Sequence, residues 1–203
     1  MSGVETSKAF GLFKELSEIS LAILSDLRVL REDHVELDMH SPYRIKQEDL
    51  EMLCDPGHYM LVRRISNSPR FAWDLGRLVG ALESGQRWAI SHAHTRRVSK
   101  VTPKFETSHR LILMLLMHVR RMAIASSKFA EMAFGLDPAE IRTLIHASDI
   151  ALIEAAPQVS LTFRSEHFRD VLRIPSHMVN TRAKETVLDV VVAASGLRRQ
   201  RSW

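Results

Sequence analysis

The chain has 203 residues, 45% of them hydrophobic, 26% charged and only 6% aromatic. Such a content is too hydrophobic and too evenly spread for a disordered or low-complexity polymer, and the length suits one large domain or two small ones. The single cysteine, Cys54, excludes an intrachain disulfide framework and a cysteine-based zinc finger, and eight glycines and seven prolines are few for a sheet-rich fold that turns about every ten residues. Met1 to Thr6 carry neither a basic nor an apolar leader segment, and the longest purely apolar run, Leu111 to Met117, is too short to span a bilayer. The expectation is a cytoplasmic protein with no membrane partner.

The net charge of +4 is unevenly divided. Residues 1–91 hold 11 basic and 14 acidic side chains, whereas residues 92–203 hold 17 basic and 10 acidic. Arginine outnumbers lysine 21 to 7, and a guanidinium forks onto phosphate and base edges. The asymmetry makes a nucleic-acid partner worth weighing against ordinary solvated surface.

In chain order the periodicity is helical almost throughout. Apolar positions from Phe10 to Leu30 recur at threes and fours and predict a long helix with one broad buried face, ended in solvent by Arg31, Glu32 and Asp33. Gln47 to Cys54 forms a short helix. Asp55-Pro56 supplies an N-cap and an N1 proline for a second, running to about Ile65. Ser68-Pro69 repeats that signal and opens a third, Arg70 to Glu83, closed by Gly85. Residues 92–107 are polar, basic and interrupted by Pro103, and read as a linker.

A second long helix is predicted from Ser108 to Phe134, apolar nearly all round and ended by Gly135. Asp137, Pro138 and Glu140 form a capping box that starts a helix to Ala147. Ser148-Asp149 caps the next, stopped by Pro157, and Val159 to Phe163 alternates like a short strand. Ser165 caps a helix to Arg173, and a last helix spans about Thr181 to Ala194 before a basic tail. Both halves thus share an order: a long apolar helix, short capped helices, a short connection, another helix. Sliding by 92 residues places Met52 on Leu144, Leu53 on Ile145 and Phe71 on Phe163, the pattern of a tandem duplication.

The stretch Phe134-Gly-Leu-Asp-Pro-Ala-Glu through Val159-Ser-Leu-Thr-Phe-Arg164 resembles the central part of the FlhD family, the small helical subunit of the flagellar master transcriptional activator. Ile19 to Asp33 and Asp55 to Phe71 are similar to that family's first helix and to its second short helix with the closing segment. The chain is nearly twice as long as the family pattern. The resemblance implies an all-α fold of two FlhD-like units in tandem, residues 1–91 and 108–203, joined by the basic linker 92–107, with the two long helices packed as a pseudo-dimer. It also implies a transcriptional activator subunit, hetero-oligomeric with a FlhC-like DNA-binding partner and cooperating with RNA polymerase. A helical adaptor or antiactivator without DNA contact is the other function the pattern allows.

Candidate phosphate contacts follow from the basic clusters: Arg96, Arg97, Lys100 and Lys104 in the linker, and Arg198, Arg199 and Arg201 in the tail, where a solvated connector fits equally well. Arg169 and Arg173, with Arg164 just before its start, mark a helix of the size that reads DNA, although its Glu166 and Asp170 repel phosphate and suit surface ion pairs with Arg169 and Arg173. Leu111, Met114, Leu115, Met117 and Met122 are expected in the core or at a partner or subunit interface. For catalysis the chain offers little, and no enzyme, metal or cofactor is expected. His92 and His94 lack a third ligand, Cys54 is expected to pack beside Leu53, and His58, His118 and His146 lie on apolar stretches as satisfied or half-exposed core histidines.

Overall fold

In the computed structural model, which describes residues 3–37, 41–55, 73–76, 78–91 and 103–163, the first element is a single helix, α1, Gly3–Glu32. It begins earlier than the apolar pattern predicts. Leu16, Ile19, Ile23, Leu27 and Leu30 recur at threes and fours and are all buried. Its end is a Schellman turn in which His34 takes the left-handed conformation (φ 53°) usually given to glycine. The Val35 N–H donates to the Leu30 carbonyl (2.8 Å) and the His34 N–H to the Arg31 carbonyl (3.0 Å).

A two-residue strand β1 (Tyr43–Arg44) leads into α2 (Gln47–Cys54), at the predicted bounds. Strand β2 (Trp73–Gly76) and helix α3 (Leu78–Ser91) follow. These two correct the expectation of one helix from Arg70 to Glu83 closed by Gly85. The four residues Trp-Asp-Leu-Gly are extended because they pair with a strand far along the chain, and Gly85 lies inside α3. A Cβ at Gly85 would stand 2.5 Å from the Ala151 carbonyl oxygen, so glycine serves here as a point of close helix approach.

The second long helix is also corrected. A 3-10 turn, Pro103–Phe105, opens α4 (Glu106–Ala125), and the expected helix to Phe134 breaks at Ser126. There the backbone is extended (φ −162°, ψ 103°), and the serine oxygen accepts from the Phe129 N–H (3.3 Å), capping α5 (Ser127–Phe134). Gly135, at φ 67°, closes α5. Helices α6 (Pro138–His146) and α7 (Asp149–Ala155) come next. A 3-10 turn, Ala156–Gln158, and strand β3 (Ser160–Phe163) complete the described chain.

The fold is mostly helical but not all-α, because the three short strands make a sheet in the order β1-β3-β2. β1 runs parallel to β3, with Tyr43 opposite Leu161. β2 runs antiparallel, with Trp73 opposite Phe163 and Leu75 opposite Leu161. Leu161 and Phe163 point to the core, and Ser160 and Thr162 are half-buried. The sheet sutures chain segments from both halves of the sequence.

The core is one cluster that draws on α1, α2, α3 and every helix from α4 to α7. Ile112, Leu115, Leu116 and Val119 of α4 are fully buried, as a helix surrounded by others requires. α1 and α4 pack antiparallel: Glu15, early in α1, meets Arg121 near the end of α4, while Asp26, late in α1, meets Ser108 in the first turn of α4. No helix among the described residues is long and apolar enough to cross a membrane. The helices expected after Asp55, Ser165 and Thr181 lie outside the described residues.

Candidate functional site

The seam between the two long helices carries a polar cluster at each end. At one end Asp26 is almost fully buried, and a bare carboxylate there would be costly. Two hydroxyls compensate it: Tyr43 Oη donates to Oδ2 at 2.6 Å and Ser108 Oγ donates to the same oxygen at 2.7 Å. Ser108 lies in the first turn of α4, the end of a helix dipole that favours negative charge. Burial first, and then the Asp26 carboxylate, push the Tyr43 phenol far above its ordinary pKa, so it stays a donor. One carboxylate thus ties α1, β1 and α4 together.

At the other end Glu15 accepts from Arg121 on Oε1 and stands 3.3 Å from His118 Nδ1 through Oε2. The His118 side chain is fully buried. Burial lowers its pKa, the Glu15 charge opposes that shift, and the Arg121 charge adds to it. Partial burial works to raise the Glu15 pKa, yet Arg121 and His118 outweigh it and hold the carboxyl below its ordinary value. Along α4, Arg120 donates to the Ala147 carbonyl (2.8 Å) at the end of α6 and pairs with Asp149 at the start of α7, so one guanidinium caps one helix and answers the first turn of the next.

Of the predicted phosphate contacts, Lys104 is the one within the described residues. It is exposed on the turn before α4, with its ammonium 4.7 Å from the centre of the Phe105 ring. Arg96, Arg97, Lys100, Arg164, Arg169, Arg173, Arg198, Arg199 and Arg201 lie outside the described residues, as do His58, His92 and His94.

The five interface candidates on α4 divide. Leu111, Leu115 and Met122 are buried within the chain itself, Met117 is half-buried, and Met114 is 47% exposed. Arg110, Met114, Arg121 and Ile124 follow one another at three- to seven-residue steps and form the outward stripe of α4, basic and apolar in alternation.

Sequence reasoning passed over Ile150 and Ile153, which are exposed three residues apart on α7. The signal was present: both sit opposite the buried Ala151, Leu152 and Ala155 in a helix of seven residues. His146 is exposed on α6, where a satisfied or half-exposed core histidine was expected. Cys54 is a buried member of the core, and burial raises its pKa against the lowering charges of Arg31 and Arg28. Among the described residues no three histidine, cysteine or acidic side chains gather as a metal site. No family model, curated protein or solved structure matches the chain.

Proposed function

We propose that this protein is a regulatory subunit of FlhD type, written twice in one chain, which acts in transcription with a FlhC-like DNA-binding partner and RNA polymerase in the cytoplasm. The observation that carries the proposal is the antiparallel pairing of α1 with α4, the geometry by which two copies of one long helix would form a dimer seam. Two further features agree with a repeated unit. Helices α2 and α6 stand in the same 92-residue register in which the two halves align, and β2 pairs antiparallel with β3 as equivalent strands would across a two-fold axis. The copies have diverged: β2 lies at 73–76, not at the 68–71 that this spacing gives, and α5 has no counterpart in the described first half.

In this scheme the protein has no catalytic role and needs no metal or cofactor. Its helical body shapes the assembly, while the basic linker and tail add phosphate contacts. The test is a mobility-shift titration of the full chain with promoter DNA, alone and with a FlhC-like partner, at low and moderate salt. Retarded complexes are expected with the partner present. Replacing Arg198, Arg199 and Arg201 by glutamine should weaken binding and lower the salt slope by roughly 0.9 for each phosphate no longer neutralised. Absence of any DNA complex at low salt would overturn the proposal. It would leave the helical adaptor or antiactivator, a reading favoured by the exposed Ile150 and Ile153 on α7.

A further inference from the structure

We propose that His118, Glu15 and Arg121 form an acid-sensitive latch that holds the two long helices together at neutral pH and loosens them when the imidazole takes up a proton.

The geometry makes the latch depend on a neutral ring. The His118 side chain has no solvent exposure, so a charged imidazole there loses its hydration entirely. Its anionic neighbour, Glu15 from α1, is 39% exposed and already bound to Arg121. A half-exposed carboxylate shared between two cations returns less than a buried cation costs. Arg121 itself reaches to 3.5 Å from His118 Nδ1 and repels a second positive charge. From the other helices around α4, namely α5, α6 and α7, no charged group acts on the ring; Glu15 of α1 and Arg121 of α4 are its charged neighbours among the described residues.

The sign follows by linkage. Burial lowers the folded pKa of His118 below its unfolded value, so the unfolded chain binds more protons. The stabilisation is complete above the ordinary histidine value of about 6.5 and is lost as pH falls below it. Glu15, with a lowered folded pKa, gives up its own contribution only below the ordinary carboxylate range near 4.5. Between pH 7.5 and 5.5 the response across the seam comes from His118, and His109 in the first turns of α4, its pKa also lowered by burial, adds a second response in the same range.

The test uses the full chain in three forms: wild type, His118→Asn, which keeps a donor toward Glu15 but does not titrate, and Glu15→Gln. Melting temperature is followed from pH 7.5 to 5.5, with hydrogen exchange of residues 12–30 and 106–125 at both ends and the His118 ring resonance titrated by NMR. Wild type should lose roughly 2–4 °C, with faster exchange in both helices at pH 5.5 after correction for intrinsic rates. His118→Asn should reduce that loss to the smaller share that His109 carries. Glu15→Gln should deepen it, because the ring then lacks the charge that favours protonation. If His118→Asn does not fold, Glu15→Gln and the ring titration decide, with His118 expected to protonate at lower pH than free histidine. A wild-type pH response in His118→Asn, a loss in Glu15→Gln no deeper than wild type, or a ring that titrates as free histidine would each overturn the latch.

Discussion

Helices α2 and α6, 92 residues apart in the chain, are built by opposite means. α6 specifies itself. The Asp137 side chain accepts from the backbone N–H groups of Ala139 (2.7 Å) and Glu140 (2.8 Å), and Glu140 returns a bond to the Asp137 N–H (2.9 Å), with Pro138 already holding a helical φ. α2 opens on Lys46, which makes no side-chain cap, yet it buries Asp49, Leu50, Leu53 and Cys54 in eight residues. α6 buries Ile141 and Leu144 in nine. A helix of this length is marginal alone, so one without a cap must be held by what it packs against. The N-terminal segment is held from outside and the C-terminal one from within.

The contrast predicts unequal responses to mutation. Leu53→Ala should be the most damaging, costing about 2–5 kcal/mol in urea denaturation, because it removes the anchor of a helix that has no cap. A loss under about 1 kcal/mol would mean that α2 hardly depends on its neighbours. The two glycines of α3 give a sharper, signed test. Alanine normally stabilises a helix interior by about 1 kcal/mol over glycine, and Gly80, with nothing within 4 Å of where a methyl would stand, should follow that rule. Gly85→Ala should reverse it and cost about 1–3 kcal/mol, since the methyl meets the Ala151 backbone of α7. Equal effects at both glycines would remove the close crossing of α3 and α7. The smallest effect lies at the caps: Asp137→Ala should cost about 1 kcal/mol, and Lys46→Ser, by supplying the missing acceptor, should return about as much. Thermal melts resolve both, and no gain from Lys46→Ser would show that α2 has no unmet need at its start.

The same division decided what could be read in advance. The bounds of α2, α6 and α7, and strand β3, were legible because their signals sit within a few residues of the element they start or stop. The break at Ser126 carried such a signal, two adjacent serines, but the apolar density of α4 masked it. β2 was not legible: Trp73 to Gly76 becomes a strand only because Leu161 and Phe163 lie opposite, and no local rule brings residues that far apart together. Gly85 reads as a terminator in sequence and acts as a contact in space.

For the candidate site, the pattern marked α4 as central. It could not say that Leu111, Leu115 and Met122 turn inward while Met114 faces out, since a helix apolar all round has no preferred face until its neighbours choose one.

By itself the sequence determined the helical content, the capped starts in the second half and the buried stripe of α1, for these rest on hydrogen bonds and periodicities that close within a turn or two. Only the tertiary structure decided the mixed sheet, the crossing at Gly85, and the contacts of Asp26 and Glu15 that join α1 to α4. Each of those needs two groups brought together from distant positions, and a buried charge or a missing Cβ has meaning only once its partner is in place.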